Sequence, residues 1–313
     1  MTGECETLLV LNLGTRSLCA VSLDGASVHP VVEGLTEVPD GLIVDQRRGH
    51  VYWTNMGTSD SGADELIGQQ FNTRNGSIER ADLDGGNRRT IVPPGSFTTG
   101  KQLTADFDEG KLYWCDREGT QVLRCNLDGS ALEALVVTAT TDHSERNQCV
   151  GIAVDPERRL VYWSQKGAPK AGEGRIFRAP IDIPAGSTAV ARNDIELLWD
   201  NLPEPIDLHL DDAGHLLWTD RGAEPAGNTL NRARVHPSVG TPEIVSRGYH
   251  EAIGLTRGGD STWYVGDLSG SIRMVDPDNR IDVELIDLES PLTGLAVASY
   301  SSSRIPGQGC IAT

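Results

Sequence analysis

No apolar run in the 313 residues approaches 18, so no transmembrane helix can be drawn. Positive charge is in short supply. There are 27 Lys and Arg against 45 Asp and Glu, a formal net charge of −18, which argues against nucleic acid or an anionic membrane as partner because both need a basic face. Common catalytic signatures are missing too: the chain has no GxSxG elbow, HExxH, CxxC pair or P-loop, and no GxGxxG after a strand. Histidine is sparse and scattered. Of the seven, His50 and His215 fall in turns on the opposite face and His29 and His236 in outer strands, and His143 and His250 alone fall on the face predicted to carry a site. No signal peptide is visible, although MTGEC also reads as a start residue set on a trimmed mature end. The compartment stays open: secreted or vesicular if disulfides form, cytoplasmic otherwise.

What the chain does contain is a repeat. Its core returns as HVYWTN at 50, KLYWCD at 111, LVYWSQ at 160, HLLWTD at 215 and TWYVGD at 262. An alternating apolar run ending in an Asp or Gly turn precedes each copy, as in PDGLIVDQ and CVGIAVDP, and two further alternating runs follow, as in GSIERADLDGGNRRTIV. Each unit is therefore four strands. Five units fill residues 38 to 288, and LTGLAVASY at 292 to 300 is left as a first strand without partners. ETLLVLNLG and SLCAVSLDGASVHPVVEGL, near the start, supply the missing three. The pattern predicts an all-β, six-bladed β-propeller of four-stranded blades, residues 1–313 as one domain, the last blade closed by N- and C-terminal strands together. The 35 Gly and 16 Pro suit its many turns.

The YWTD core and the DLDG strand after it resemble the YWTD propellers, the class B repeats of the low-density lipoprotein receptor family, over nearly all of the chain. The resemblance implies fold more than function, because repeat residues pack blade on blade. Trp53, Trp114, Trp163 and Trp218 become inter-blade core, and Asp116 and Asp220, at the motif's last position, blade-to-blade hydrogen bonds. In this strand order the loop between second and third strands and the lead-in to each first strand open on one face, where loops on a rigid frame carry function. The loop NMGTSDSGADELIGQQFNTRNG is a long lid candidate, whereas REGT and DLSG are tight turns. The lead-ins bring Phe97, Lys101, Gln102, His143, Gln148, Tyr249, His250 and Glu251 to that face, and Arg117, Lys166 and Arg221 fall in the second-to-third loops. A half-covered pocket with mixed polar and aromatic lining is expected.

Propellers often hold a metal at the channel mouth, and Asp40, Asp207, Glu204 and Glu251 offer oxygen ligands. Against this, the positions equivalent to Asp40 in other blades read as Gln102, Gln148 and Thr293, so no metal and no cofactor is assigned. Of the six cysteines, Cys5 and Cys310 flank the shared blade, where a bridge would staple the ring, and Cys115 and Cys125 lie on neighbouring strands of one hairpin.

A narrower resemblance bears on function. GRIFRAPIDIPAG and DLHLDDAGHLLWTDRG are similar to stretches of free-standing fungal propellers of secondary metabolism, some of them hetero-Diels-Alderases of tropolone-sesquiterpene pathways. It implies as substrates a hydroxymethyl tropolone, which loses water to an o-quinone methide, and a humulene-type alkene that adds to it, with no obligate protein partner. Such a step needs two reactants held in one orientation rather than a nucleophile or metal. The candidate donors are His250, Arg221, Lys101, Gln102, Gln148 and Tyr249, with Glu251 or Asp116 as acid or base for the dehydration. Phe71, Phe97 and Trp199 are apolar-wall candidates, and Asn55, Arg117 and Lys166 complete the expected substrate contacts. The alternatives are a protein- or peptide-binding YWTD propeller, and a metal-dependent propeller of the lactonase or strictosidine-synthase type.

Overall fold

The computed structural model describes residues 4–61, 69–259 and 262–301. Blade 1 is β4 (Pro39–Asp45), β5 (His50–Asn55), β6 (Gly76–Asp82) and β7 (Arg89–Phe97); blade 2 is β8 (Gly100–Asp106), β9 (Lys111–Asp116), β10 (Gln121–Asn126) and β11 (Glu133–Val137). Blade 3 is β12 (Cys149–Asp155), β13 (Leu160–Gln165), β14 (Gly174–Pro180) and β15 (Glu196–Leu202), and blade 4 is β16 (Pro205–Leu210), β17 (His215–Asp220), β18 (Thr229–Arg234) and β19 (Glu243–Arg247). Blade 5 is β20 (Ala252–Arg257), β21 (Trp263–Asp267), β22 (Ser271–Asp276) and β23 (Ile281–Asp287). Blade 6 takes its first strand, β24 (Leu292–Ser301), from one end of the chain and β1 (Glu4–Asn12), β2 (Ser17–Ser22) and β3 (Val28–Val32) from the other. All six sheets are antiparallel, and each first strand packs against the next round to β24 against β4, so the molecule is a closed six-bladed propeller. Among the described residues, helix is limited to one 3-10 turn, Glu145–Asn147.

Second strands such as HVYWTN are buried on both faces because each lies between two blades, and their Val, Tyr, Trp and Thr suit a pleated strand with no wet side. The four motif tryptophans are at most 1% exposed. Phe97, on an outermost strand, packs on Trp114 of the next blade at 5.3 Å, and Trp199 stacks on Trp218 in the same way at 5.3 Å.

The motif's hydroxyl joins the blades. Thr54 Oγ accepts the Gly41 N–H in its own first strand at 2.9 Å and donates to the Lys101 carbonyl of the next blade at 2.7 Å. Ser164 repeats this between Gly151 and Ile206, and Thr219 between Asp207 and Ile253. In blade 2 the Cys115 thiol donates to the Gly151 carbonyl at 3.3 Å.

The motif aspartates, expected to bond blade to blade, instead tie two loops of one blade together. Asp116 accepts the N–H groups of Thr98 and Thr99, before β8, and of Gly119, after β9. Asp220 does the same for Glu204 and Gly222. His236 also departs from expectation: it lies in the turn after β18, its Nε2 2.8 Å from the Tyr162 hydroxyl of the preceding blade.

Cys5 is disulfide-bonded, while Cys19, Cys115, Cys125 and Cys149 are free and buried; Cys310 lies outside the described residues. Cys115 and Cys125 face opposite sides of their hairpin, Cys115 packing with Cys149 and Trp163 and Cys125 with Trp114.

Candidate functional site

Every first strand carries a two-residue bulge at its start, visible as a register break between Pro39 and Leu42, Gly100 and Leu103, Cys149 and Ile152, Pro205 and Leu208, and Ala252 and Leu255, with the matching break opposite β24. A bulge re-aims side chains, here into the axis of the ring. The first bulged residues are Asp40, Lys101, Val150, Ile206, Ile253 and Thr293; the second are Gly41, Gln102, Gly151, Asp207, Gly254 and Gly294. Asp40 is therefore equivalent to Lys101 and Val150, one residue away from the Gln102 and a longer step from the Gln148 expected from sequence.

Above this ring lies a cavity of about 550 Å³, with Asp40, Lys101, Ile253 and Thr293 in its floor. Lys101 Nζ makes a close ion pair with Asp40 and lies 3.5 Å from Met56 Sδ. Burial lowers the Lys101 pKa while Asp40 opposes the shift. Beneath them burial, reinforced by Asp40, pushes the Asp207 carboxyl well above the usual range, and its Oδ1 has no hydrogen-bond partner.

The wall combines apolar surface with cations. Phe71, held through its carbonyl by the Thr99 hydroxyl at 2.8 Å, lies under the Arg117 guanidinium at 5.9 Å, and Arg117 pairs with Glu118 at 2.6 Å. Opposite, the fully buried Glu204 accepts Arg221 Nε at 2.7 Å and the Lys170 N–H at 3.0 Å. Arg221 also reaches Glu251 at 3.8 Å, and Lys170 reaches it from the neighbouring loop at 3.4 Å. Glu251 sits in the left-handed backbone region, φ 61°, an uncommon placement for a non-glycine residue and one stabilised here by its N–H bond to Asn228 Oδ1 at 3.0 Å. Lys166 Nζ donates to the Gly167 carbonyl at 3.0 Å and stands 3.9 Å from Glu204. Burial and then Arg221 push its pKa down to about 8. The lining's four cations, Lys101, Arg117, Lys166 and Arg221, balance its four carboxylates, Asp40, Glu118, Glu145 and Glu251. The cavity is thus neutral in a molecule whose formal charge is −18, a relatively favourable place for an anionic or enolate-like ligand.

Of the residues singled out from sequence, Phe71, Lys101, Arg117, Gln148, Lys166, Arg221 and Glu251 meet at this cavity. The others are placed elsewhere. Gln102 is a strut below the floor: its amide donates to the Leu208 carbonyl at 2.8 Å and accepts the Ile152 and Leu208 N–H groups, linking blades 2, 3 and 4. Asp116 is spent on its three backbone N–H groups. Asn55 binds Ser77, and Tyr249 is buried with its hydroxyl 2.7 Å from Ser246. Phe97 and Trp199 cover tryptophans between blades. His250 offers its backbone N–H to Asp267 while its side chain is 79% exposed, outside the cavity. His143 is likewise exposed.

The candidate metal ligands do not converge, since Asp40 is taken by Lys101 and Glu204 by Arg221; among the described residues no group of three or more His, Cys, Asp or Glu could hold a metal. Sequence reasoning missed Met56, Ile253 and Leu268 in the lining. The signal for Ile253 was available, as the residue before the glycine of its first strand. His209 was also missed; it packs edge-on against Trp263 at 5.0 Å and lines a second cavity of about 260 Å³ lower in the channel. The described ends of the lid candidate are tied, Asp60 accepting the Asn72 and Thr73 N–H groups, while residues 62–68 lie outside the described part.

No family profile matches the chain. It is 41% identical over 93% of its length to a Pyricularia oryzae protein named low-density lipoprotein receptor-related protein 1, 96% of which is covered. It is 38% identical over 92% of its length to the 3-hydroxyacyl-CoA dehydrogenase-like protein LAM1 of Cochliobolus heterostrophus, but spans only 62% of that protein. A chain of the nidogen/laminin complex superposes with a TM-score of 0.71 at 19% identity, covering 94% of this chain and 98% of that one. A gluconolactonase of Xanthomonas campestris superposes with a TM-score of 0.60 at 11% identity, covering 90% and 83%. At such identities the two structures speak for the fold alone.

Proposed function

This chain belongs to the low-density lipoprotein receptor-related family of YWTD propellers, and from that premise we propose that it is a biosynthetic enzyme acting on small molecules in its axial cavity, a hetero-Diels-Alderase. The observation that carries the proposal is the cavity lining, where Phe71, Met56, Ile253 and Leu268 offer apolar surface beside Arg117 and Arg221. A volume of about 550 Å³ lies within the usual range for small-molecule sites. A terpene alkene rests on the apolar side. The oxygens of a tropolone rest on the guanidinium side, where fixed donors stabilise the charge that moves onto them. Holding both in one orientation lowers the barrier by several kcal/mol, on the order of what well-oriented intramolecular reactions gain.

Dehydration of the hydroxymethyl tropolone breaks the CH2–OH bond, and the hydroxyl leaves as water with the ring hydroxyl's proton. Glu251, partly exposed between Arg221 and Lys170, is the carboxylate placed to relay that proton.

The test is a chiral chromatography assay of the purified protein with a hydroxymethyl tropolone and 8-hydroxyhumulene, against boiled protein. One enantiomer is expected to form at least tenfold faster than background. Phe71→Ala should erode the enantiomeric excess, whereas Glu251→Gln should slow product formation unless the o-quinone methide is generated independently. Racemic product at the background rate would sink the proposal and direct attention to peptide ligands.

A further inference from the structure

The sequence contains only four lysines, Lys101, Lys111, Lys166 and Lys170, beside a much larger number of arginines. Their distribution is uneven. Lys111, on the opposite face, binds Asn126. The other three gather at the axial cavity, two in its lining and Lys170 on its rim. Arginine stays charged under any condition a protein meets, whereas a buried lysine can lose its proton and become a nucleophile. A chain that otherwise uses arginine for its cations has placed its lysines where that difference matters.

The two lining lysines are not equivalent. Lys101 is clamped by Asp40 in a close ion pair that ties up its Nζ, although burial lowers its pKa too. Lys166 has no such partner. Its side chain is 6% exposed, and an ammonium so placed needs three acceptors. Among the described residues it has one hydrogen bond, to the Gly167 carbonyl. The one carboxylate near it, Glu204, is already engaged through one oxygen by Arg221 and through the other by the Lys170 N–H, so Lys166 stands off at 3.9 Å. An ammonium left short of acceptors next to a guanidinium is destabilised, which brings the nucleophilic free amine within reach near neutral pH.

We propose that Lys166 is a nucleophilic amine that condenses with the carbonyl of an aldehyde or ketone bound in the axial cavity. The nitrogen lone pair forms the N–C bond while the carbonyl π pair moves to oxygen. Both amine protons end on that oxygen, the C–O bond breaks, and water leaves an imine on Lys166. Arg221, held beside it on the shared Glu204, stabilises the alkoxide as it forms. No oxidant or second reactant is needed. The inference is independent of the cycloaddition, and failure of either test leaves the other standing.

The experiment is reductive trapping of the full chain with benzaldehyde and cyanoborohydride, followed by peptide mapping of the four lysines from pH 6 to 10. At pH 7 an amine with a pKa of about 8 has on the order of 100-fold more free base than an ordinary lysine. Benzylation of Lys166 should therefore exceed that of the exposed Lys170 despite its burial, level off above pH 8, and fall when benzyl alcohol competes for the cavity. Lys166→Arg should lose that adduct and keep the wild-type circular dichroism and melting temperature. Should this variant not fold, the map and pH profile of the unmodified chain decide alone. Labelling that follows exposure, with Lys170 and Lys111 ahead of Lys166, would overturn the proposal, as would a Lys166 adduct indifferent to benzyl alcohol.

Discussion

Asp220 accepts two backbone N–H groups, that of Glu204 shared between its two oxygens and that of Gly222, yet burial outweighs them and raises its carboxyl to about 6. Between about pH 4 and 6 the folded chain keeps a proton that the unfolded chain has released, so this group's stabilisation is complete below about pH 4 and is lost as pH rises through 6. His209 acts in the opposite sense. Its burial, and then the nearby Arg257, lower its pKa to about 4, so the unfolded chain takes up a proton first as pH falls below about 6.5. Its contribution therefore rises with pH over nearly the same window, and the two slopes oppose each other. Denaturant titrations at pH 4, 5 and 6 should show Asp220→Asn gaining more stability with pH than wild type and His209→Phe losing it, each by up to about 1.4 kcal/mol per pH unit. Parallel curves for all three proteins would remove both assignments. At this scale sequence was a partial guide. It marked the motif tryptophans as frame, because burial follows residue type and repeat position. It could not tell Lys101 from Gln102, since neighbours in a bulge differ in direction and not in spacing.

Elements meet most tightly where the glycines of the first strands touch the next blade. A Cβ on Gly151 would stand 1.9 Å from the Ile206 carbonyl, and one on Gly254 2.1 Å from that of Thr293. Backbone on both sides cannot yield cheaply, so Gly151→Ala should cost about 3 kcal/mol. The hydroxyl bond one blade further on, next to Gly254, allows a separate check. Thr219→Val keeps the shape but strands the Asp207 N–H and the Ile253 carbonyl, a loss of about 2 to 4 kcal/mol. Both should appear as lower urea midpoints at unchanged slope, and a Thr219→Val midpoint equal to wild type would show that the hydroxyl does not join the blades. Strand number, order and blade sharing were all legible, because alternating runs and turn residues are local signals. The loop residues that line the cavity were legible in part: Phe71, Arg117, Gln148, Lys166, Arg221 and Glu251 were found, whereas Met56 and Leu268 were missed and His250 turns outward, because side-chain direction in a loop depends on contacts between neighbouring blades.

The ring as a whole is closed by antiparallel pairing of β24 with β1, and the disulfide at Cys5 lies at the far end of that seam. Alkylation of the denatured, unreduced chain should modify Cys19, Cys115, Cys125 and Cys149 and spare Cys5, which should react only after reduction. Modification of Cys5 without reductant would show that it carries no disulfide. The larger consequence concerns the floor of the cavity. Each of the six blades projects one residue inward from the same backbone bulge, and four of these, Asp40, Lys101, Ile253 and Thr293, face the cavity while Val150 and Ile206 are buried, whereas the hydroxyl and indole contacts that hold the ring use other side chains. The molecule separates alphabet from page. The four letters that face the cavity can be rewritten in a combinatorial library of four codons, and ligand preference can drift in evolution or be selected in the laboratory while the scaffold that presents it stays unchanged.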